Sequence, residues 1–504
     1  MKSKIPSTGK NKTNHLKRNH SEKEVPKDYS TETHLIYGKA YTEKWDYSHH
    51  LVPPITASAT FRLESAQRGA QGFIDFAHTV EGEEISKQTP IYIYDRLGEP
   101  NKDILEDNLA LAESGDACVT FASGMGAISA ALGILAAPGD QVISHRMLYG
   151  CTYELLTLWY PRYRIDVKFI DMIDPKNLDR AITSTTRVVY FETPVNPTLD
   201  LIDIEAVSKI VKAENSKRRK QNHISVVVDN TFATPFCQRP IELGADFVVH
   251  SLTKNIGGFG TDVGGAVVGP AWSHDRLLLY RKDFGGVLST RNAWNALVYG
   301  LPTLATRVRQ QQETAGEIAR FLSGHPKIGR VSYPGLEEFQ QHSLAKRQMH
   351  DFDGNFAPGS MIYFVLKGKN PDDSKCRGEK LINLLAKNAY TITLAVSLGN
   401  IRTLVEHPGS MTHAAIPGTE QIKKGIDPGG MRLSIGLEKV DDILRDLQEG
   451  LNQICGKCKD RFCPHRFPRD LPCGKCNWEI LKDKSPFRLM YYCFLTECGP
   501  NFYR

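Results

Sequence analysis

A lysine and an aspartate each follow a short apolar run of the sequence, and both residue types can do chemistry. Lys254 ends the segment Ser251-Leu-Thr-Lys254, after the apolar residues 247–249 and before a glycine-rich stretch. A desolvated amine at such a position is a candidate for forming a Schiff base with a carbonyl compound. Asp229 follows residues 224–228, where a carboxylate is costly unless it meets a cation. Each residue could instead form a structural ion pair, and the two could neutralise each other.

A glycine-rich turn is the third candidate feature. Ser123-Gly124-Met125-Gly126 follows an apolar run and leads into a segment with helical spacing of apolar residues. A glycine turn that starts a helix presents free N–H groups and the positive end of the helix dipole, which suits a phosphate. By itself the segment could be a plain tight turn. Together with a lysine and an aspartate at strand ends, it matches the three contacts that pyridoxal phosphate (PLP) requires, at its phosphate, aldehyde and pyridine nitrogen.

These residues need a scaffold that brings the ends of several strands together. From about residue 115 to 270 the sequence alternates short apolar runs with polar or glycine-rich turns and helical stretches. This alternation predicts a mainly parallel sheet covered on both faces, the α/β class. Ligands of such sheets bind beyond the carboxyl ends of the strands, where the candidate residues lie. The seven predicted strands are residues 117–121, 141–144, 167–170, 187–191, 224–228, 247–249 and 265–268.

The composition is that of a folded body with two basic tails. Of the 504 residues, 24% are charged and 41% hydrophobic, which excludes a disordered, collagen-like or coiled-coil protein. Residues 1–28 and 452–504 each carry five more basic than acidic residues, and we expect solvated tails and no nucleic-acid partner. No run of about 18 apolar residues and no apolar signal segment is present, so we expect no membrane association and a cytoplasmic location.

Cysteine is concentrated near the carboxyl end, where seven of the eleven lie. Cys455-Gly-Lys-Cys458 and Cys473-Gly-Lys-Cys476 are separated by fourteen residues, which is close to the spacing of a zinc ribbon. We therefore expect a structural zinc ion on these four thiolates, and the alternative is a cysteine-rich extension without metal. A function of another class is a scaffold without catalysis whose tail binds nucleic acid or protein. A scaffold would need neither Lys254 nor Asp229.

Eight short motifs carry a resemblance to a known family. They are Tyr94-x-Arg96, Ser123-Gly124-Met125, Leu148-Tyr149-Gly150, Thr193-Pro-Val-Asn196-Pro197, Asp229-Asn-Thr, Ser251-x-Thr-Lys254, Ser397-Leu-Gly399 and Arg432-Leu-Ser-Ile-Gly-Leu-Glu438. In this order and spacing they resemble the fold-type I, PLP-dependent enzymes of Cys/Met metabolism. That family includes methionine γ-lyase, cystathionine γ-lyase, cystathionine γ-synthase and acylhomoserine sulfhydrylase. The resemblance runs from about residue 30 to about residue 450.

The resemblance implies which residues hold the cofactor. Lys254 would bind the PLP aldehyde and later shuttle protons, and Asp229 would keep the pyridine nitrogen protonated. Asn196 would lie near the phenolic oxygen of PLP. The phosphate would be held by the N–H groups of Gly124 and Met125 and by the hydroxyls of Ser251 and Thr253.

The resemblance also implies a substrate site. Arg432 would clamp the α-carboxylate, with Ser397 beside it. Tyr149 would stack on the PLP ring and help to protonate the departing γ-group, a role that a lowered phenol pKa would favour. Cys151 follows Gly150 as in methionine γ-lyases and would line the pocket near a thioether, and the alternative for it is a buried packing cysteine. Arg402 stands where cystathionine-using enzymes commonly have Glu, which disfavours a cystathionine substrate.

Tyr94 and Arg96 match a motif that, in this family, reaches the phosphate of the neighbouring subunit, so the resemblance implies a homodimer or homotetramer. The expected reaction is methionine γ-lyase-like α,γ-elimination on a small sulfur amino acid, and the alternative is γ-replacement on an O-acylhomoserine. The expected organisation has five parts. They are a disordered basic tail (1–28), an N-terminal arm completing the neighbouring site (29–100), a PLP-binding large domain with a seven-stranded sheet (101–300), a small C-terminal α/β domain (301–451) and a Cys-rich basic extension (452–504).

Overall fold

Two β-sheets and the helices around them make up the part of the chain that can be described. A computed structural model describes residues 29–37, 51–76, 91–411, 422 and 425–454. The predicted basic tail, most of the Cys-rich extension and the four predicted zinc ligands Cys455, Cys458, Cys473 and Cys476 lie outside these residues. In the described residues, no helix is both long and apolar enough to cross a membrane.

The first sheet has seven strands, and each of the seven predicted strands is confirmed to within two residues at either end. The sheet order is β1-β7-β6-β5-β4-β2-β3, in which only β7 runs antiparallel to its neighbours. The prediction of an α/β fold with a mainly parallel sheet is therefore confirmed. The strands are β1 (Ala117–Phe121), β2 (Gln141–His145), β3 (Asp166–Ile170), β4 (Thr186–Glu192), β5 (Ser225–Asp229), β6 (Phe247–Ser251) and β7 (Gly265–Gly269).

Apolar residues face both sides of this sheet. Val227 of β5 packs into one apolar cluster, whereas its neighbours Val226 and Val228 pack into another. Successive side chains of a strand point to opposite faces, so a run that is apolar at every position fits a sheet covered on both sides. The helices of this part are α1 (Thr31–Tyr37), α2 (Ala66–Asp75), α3 (Pro100–Ala112), α4 (Gly124–Gly133), α5 (Gly150–Glu154), α6 (Lys176–Ala181), α7 (Ile204–Asn215), α8 (Thr234–Cys237), α9 (Ser273–Phe284) and α10 (Thr290–Asn295).

The second sheet has five strands in the order β10-β11-β12-β9-β8, and only the pair β10 and β11 is parallel. Its strands are β8 (Ile328–Ser332), β9 (Met361–Leu366), β10 (Ile392–Leu394), β11 (Thr403–Glu406) and β12 (Gly430–Ser434). The accompanying helices are α11 (Leu304–Gly324), α12 (His342–Gln348), α13 (Pro371–Asn388) and α14 (Val440–Asn452). Short π and 3-10 segments are Leu155–Trp159, Tyr160–Tyr163, Lys220–Asn222, Ala296–Gly300, Leu301–Thr303 and Pro408–Ser410.

Candidate active site

Lys254 lies in the turn after β6, and its side chain is held by a residue from a loop of the second sheet. Its Nζ donates a hydrogen bond of 2.7 Å to Oγ of Ser397, which lies between β10 and β11. Burial and the nearby guanidinium of Arg432 lower the pKa of Lys254. The amine is therefore not neutralised by an ion pair with Asp229, which was the alternative explanation for both residues. A lysine of lowered pKa is more readily neutral, and only the neutral amine attacks a carbonyl.

Ser397 and Gly399 have unusual backbone conformations that allow the loop after β10 to lie close to Lys254. Ser397 has φ of +87°, which is rare for a residue with a side chain, and its Oγ and carbonyl face two different cations. Gly399 has φ of +74°, and a Cβ there would lie 2.4 Å from the backbone nitrogen of Asn255. Only glycine therefore lets the loop after β10 pack directly on the residue that follows Lys254.

Arg432 lies on β12 with its guanidinium buried among acceptors. Nη1 donates to Oδ1 of Asn196 at 2.7 Å, and Nη2 donates to the carbonyl of Ser397 at 3.0 Å. Nη2 also forms an ion pair with Glu406, the residue opposite Arg432 in the β11–β12 register. Burial lowers the pKa of Arg432, while Glu406 opposes that shift. These contacts fix the plane of the guanidinium beside Lys254, as a carboxylate clamp requires.

Two carboxylates end adjacent strands, because Glu192 of β4 is in register with Asp229 of β5. Asp229 accepts a hydrogen bond of 2.9 Å from the Thr231 N–H and a longer one of 3.5 Å from the Tyr190 hydroxyl. Glu192 accepts a hydrogen bond of 2.8 Å from the backbone N–H of Tyr149. Burial and the adjacent Asp229 raise the pKa of Glu192 well above its usual range, which favours its protonated form.

The residues of the predicted phosphate cradle lie where α4 begins and β6 ends. Ser123 caps α4 by accepting a hydrogen bond of 3.0 Å from the N–H of Gly126. A Cβ on Gly124 would lie 2.9 Å from Cβ of Ser251, so only glycine allows the start of α4 to lie this close to the end of β6. The Thr253 hydroxyl accepts from the N–H of Gly264 at 3.1 Å. Helix N–H groups and the Ser251 hydroxyl therefore meet in one place, with Met125 in the first turn of α4.

Tyr149 and Cys151 lie together at the start of α5. Both are exposed, and Tyr149 is 45% exposed. The nearby Cys151 thiol and, after it, burial raise the pKa of Tyr149 to about 12. The lowered phenol pKa that would favour protonation of the departing γ-group is therefore not found in the described chain, where the pKa of Tyr149 is raised. The alternative of a buried packing cysteine is also wrong, since Cys151 is exposed.

Tyr94 and Arg96 lie apart from these residues. Tyr94 forms an isolated bridge with Thr60, and Arg96 donates from Nη1 to the carbonyl of Lys282 at 2.8 Å. Both side chains are exposed, and Arg96 lies 5.6 Å from the ring centroid of Tyr94. Within the described part of the chain, no recorded contact joins either residue to Lys254 or to the cradle.

The comparisons with known proteins agree with this arrangement. The family model for Cys/Met metabolism PLP-dependent enzymes matches residues 32–452. The chain belongs to this family. It is 40% identical over 406 residues to an L-methionine gamma-lyase of Fusobacterium nucleatum subsp. polymorphum, covering 80% of this chain and 94% of that protein. It is 36% identical to an O-acetyl-L-homoserine sulfhydrylase of Leptospira meyeri, covering 72% of this chain and 86% of that protein.

Solved structures give the same family. A cystathionine gamma-lyase from Lactobacillus plantarum, solved with L-serine, matches with a TM-score of 0.70 and 32% identity, covering 84% of this chain and 99% of that chain. The predictions of a fold-type I architecture, of a PLP-dependent trans-sulfuration enzyme and of PLP as its cofactor are confirmed.

The residues present fit PLP. The Gly124–Ser251 approach leaves helix N–H groups facing a hydroxyl, which suits a phosphate. Burial raises the pKa of Asp229, and no described residue forms an ion pair with it, so a protonated ring nitrogen would supply its missing cation.

Two carboxylates near these residues were not among the predicted site residues. Glu192 ends the apolar run of β4 just as Asp229 ends that of β5, so the same signal could have identified it. Glu406 lies in a segment whose sequence gives no sign of a site residue. Its partner Arg432 becomes clear only from the register of β11 with β12. Among the described residues, no cluster of three or more His, Cys, Asp or Glu could hold a metal ion, and the predicted zinc ligands lie outside them.

Proposed function

We propose that this PLP-dependent enzyme catalyses α,γ-elimination of L-methionine or a related sulfur amino acid, which with one water gives a 2-oxo acid, ammonia and a thiol. The observation that carries the proposal is the grouping of Lys254, Ser397 and Arg432, with Cys151 two residues after Tyr149 at the start of α5. A polarizable thiol suits the thioether of methionine. The relationship to L-methionine gamma-lyases at about 40% identity supports the same reaction.

The cofactor would be held at three points by this chain. Lys254 would bind the aldehyde, and its amine, of lowered pKa, would then accept and return protons at the substrate carbons. Asp229 would keep the ring nitrogen protonated. The phosphate would be held by the N–H groups of Gly124 and Met125 and by the hydroxyls of Ser251 and Thr253. Bound PLP supplies an electron sink for deprotonation of the substrate.

Substrate recognition would depend on the Arg432 cluster. Asn196 and Glu406 hold the guanidinium in one orientation, so it could bind a carboxylate with two parallel hydrogen bonds. Ser397 would lie between this carboxylate and Lys254, since it contacts both cations. Tyr149 keeps its proton at neutral pH because its pKa is about 12, and donation of that proton to a departing thiolate would require the pKa to fall in the assembled site.

The active unit would be at least a homodimer in which Tyr94 and Arg96 complete the neighbouring subunit's phosphate site. Their exposure and their lack of recorded contact with their own cradle support this arrangement. Large exposed apolar side chains also follow Tyr149, at Leu158, Trp159 and Tyr163, as expected of a surface covered by a second copy. The chain would have the five parts predicted from the sequence. It would be cytoplasmic, and the lack of disulfides among the described cysteines supports this location.

The test is release of 2-oxobutanoate and methanethiol from L-methionine by the PLP-loaded protein, with Lys254→Ala as the blank. Release that depends on Lys254 supports the proposal. A protein that carries bound PLP, seen by its visible absorbance, yet releases neither product contradicts it.

The second candidate is γ-replacement on an O-acylhomoserine, of the cystathionine γ-synthase or O-acetylhomoserine sulfhydrylase type. The 36% identity to the Leptospira meyeri sulfhydrylase favours keeping it. Incubation with O-acetylhomoserine and sulfide separates the two, because replacement yields homocysteine whereas elimination yields 2-oxobutanoate. Exposed Arg402 stands against a cystathionine substrate in either case, because the distal ammonium group of cystathionine would meet a like charge.

A further inference from the structure

The segment carrying Tyr94 and Arg96 is tied to its own chain by two buried cations. Nζ of Lys102 donates to the carbonyl of Asp95 at 2.7 Å and to Oδ1 of Asp95 at 2.9 Å. Nη2 of Arg281 donates to the carbonyl of Leu97 at 3.1 Å. Both cationic side chains are almost fully buried. The backbone on either side of Arg96 is therefore fixed from beneath, while its side chain remains exposed.

Lys102 lies where a lysine is unfavourable on two counts. It is in the first turn of α3, at the positive end of the helix dipole, and its side chain is 0% exposed. Burial, and then the nearby Arg281, lower the pKa of Lys102, whereas Asp95 raises it. A buried charge in such a place needs a compensating partner, and Asp95 supplies both a carboxylate and a carbonyl.

Arg281 differs from Lys102 because it also contacts the strand that leads to the cradle. Its Nη1 donates to Oε1 of Glu106 at 2.6 Å and to the carbonyl of Thr120 at 3.2 Å. Thr120 belongs to β1, which ends just before the cradle residues Ser123 and Gly124. A change at Arg281 would therefore disturb its own site as well, whereas the Lys102 ammonium contacts only the exposed segment.

We propose that Lys102 is a positioning residue for the active site of the neighbouring subunit, acting through the segment 94–97 that it holds. This inference rests on the proposed sharing of the site between two copies. Loss of the ammonium would free the carbonyl of Asp95 and leave its carboxylate, within the described chain, only the 3.4 Å hydrogen bond from the Thr290 hydroxyl. Arg96 could then move away from the phosphate that it would contact. A displacement of about 1 Å in a positioning group can lower rates by orders of magnitude.

The experiment uses mixed oligomers of the full-length chain. Lys102→Met and Lys254→Ala chains are co-expressed in equal amounts, and bound PLP and turnover of the proposed substrates are both measured. In a mixed dimer, the site with an intact Lys254 belongs to the Lys102→Met chain and receives Tyr94 and Arg96 from the Lys254→Ala chain. That site is therefore wild type in every relevant residue. Random assortment predicts about one quarter of wild-type activity.

Lys102→Met alone should bind PLP about tenfold less tightly, as measured by its loss on dilution. The reason is that the charge-assisted hydrogen bond from Arg96 to the phosphate in the neighbouring site would be lost. In the mixed oligomers, the wild-type sites should recover tight PLP binding together with the activity. A role of Lys102 confined to folding or to its own site would give no recovery, and that result overturns the inference.

Two control pairs separate this inference from the proposed function. Arg96→Ala with Lys254→Ala should recover about one quarter of the activity. Asp229→Ala with Lys254→Ala should recover none, because Asp229 and Lys254 of one site come from the same chain, so each site of the mixed dimer keeps one of the two changes. Failure of the Arg96 pair overturns the shared site and the inference with it. Failure of the Lys102 pair alone overturns only the inference. Asp95→Asn, a milder change at a partly exposed position, should give the same recovery if Lys102→Met folds poorly.

Discussion

At the scale of single residues, the state of Lys254 depends on a cation that is remote in sequence. Burial and the Arg432 guanidinium together lower the pKa of Lys254, and Glu406 opposes them. The hydrogen bond to Ser397 keeps the amine in place without neutralising it. The reactivity of the lysine is therefore set by the second sheet as much as by its own loop.

Arg432→Gln should raise the pKa of Lys254, because a nearby cation is removed and the Glu406 carboxylate, which raises this pKa, is no longer paired with Arg432. The pH at which the apoprotein captures PLP at half its maximal rate should rise by about one unit. The measurement is the growth of bound-cofactor absorbance against pH. Arg330→Gln, which removes an exposed guanidinium paired with Asp427, is the matched control and should leave the midpoint unchanged. A midpoint that stays the same or falls in Arg432→Gln contradicts this account.

Glu192→Gln should alter turnover by less than about threefold at neutral pH, because burial and Asp229 raise the pKa of the wild-type side chain and favour its neutral form. The amide oxygen can still accept the hydrogen bond from the Tyr149 N–H. Glu192→Leu, which has no acceptor, should instead reduce turnover about tenfold or more. Steady-state kinetics of the three proteins check this. Equal losses in Gln and Leu would mean that Glu192 acts as a carboxylate.

Several residues of the candidate site could be named from the sequence, but the contacts between them could not. Lys254 and Asp229 follow apolar runs, and that signal is local. The grouping of Arg432, Asn196 and Ser397 depends on a crossing between two sheets, and no local pattern encodes it. The thiol that raises the pKa of Tyr149 is two residues away, but its effect on the phenol depends on side-chain directions that the spacing leaves open.

At the scale of elements, the seven strands of the first sheet were predictable because each is a short apolar run bounded by turns. Their order was not, since β7 inserts antiparallel between β1 and β6 and places residues 265–269 against two strands remote in sequence. That order brings the ends of β4, β5 and β6 together, and with them Glu192, Asp229 and the loop of Lys254.

The end of β2 carries a pH-sensitive contact. His145 is 1% exposed, and its Nδ1 accepts a hydrogen bond of 3.0 Å from the N–H of Met172. Burial lowers its pKa to about 4. The unfolded chain binds a proton at this histidine more readily than the folded chain does, so stability is present above about pH 6.5 and is lost as the pH falls towards 4.

His145→Asn should flatten this part of the stability profile, because the amide oxygen can accept from Met172 but does not titrate. The expected difference from wild type in the change of unfolding free energy between pH 7 and pH 4 is about 3 kcal/mol. Urea unfolding at the two pH values measures it. His223→Asn at an exposed position should leave the wild-type slope unchanged. An unchanged slope in His145→Asn would contradict the assignment.

At the scale of the whole molecule, the family match ends at residue 452, and the paired Cys-x-x-Cys motifs begin three residues later. The segment that matches the enzyme family and the Cys-rich extension are therefore separate along the chain. The four thiolates of Cys455, Cys458, Cys473 and Cys476 have the number and spacing for one tetrahedral zinc ion. A site of this kind with four protein ligands has no open position for a substrate, so its expected role is structural.

We therefore expect about one zinc ion per chain in the purified full-length protein. The double change Cys455→Ser and Cys458→Ser should remove it, because two ligands are lost, and should leave PLP absorbance and turnover within about twofold of wild type. Metal content by atomic emission, measured on the same samples as turnover, checks both statements. Cys118→Ser, far from the tail in sequence, is the matched control and should keep the metal. Loss of turnover without unfolding on removing the tail thiolates would mean that the extension contributes to the active site.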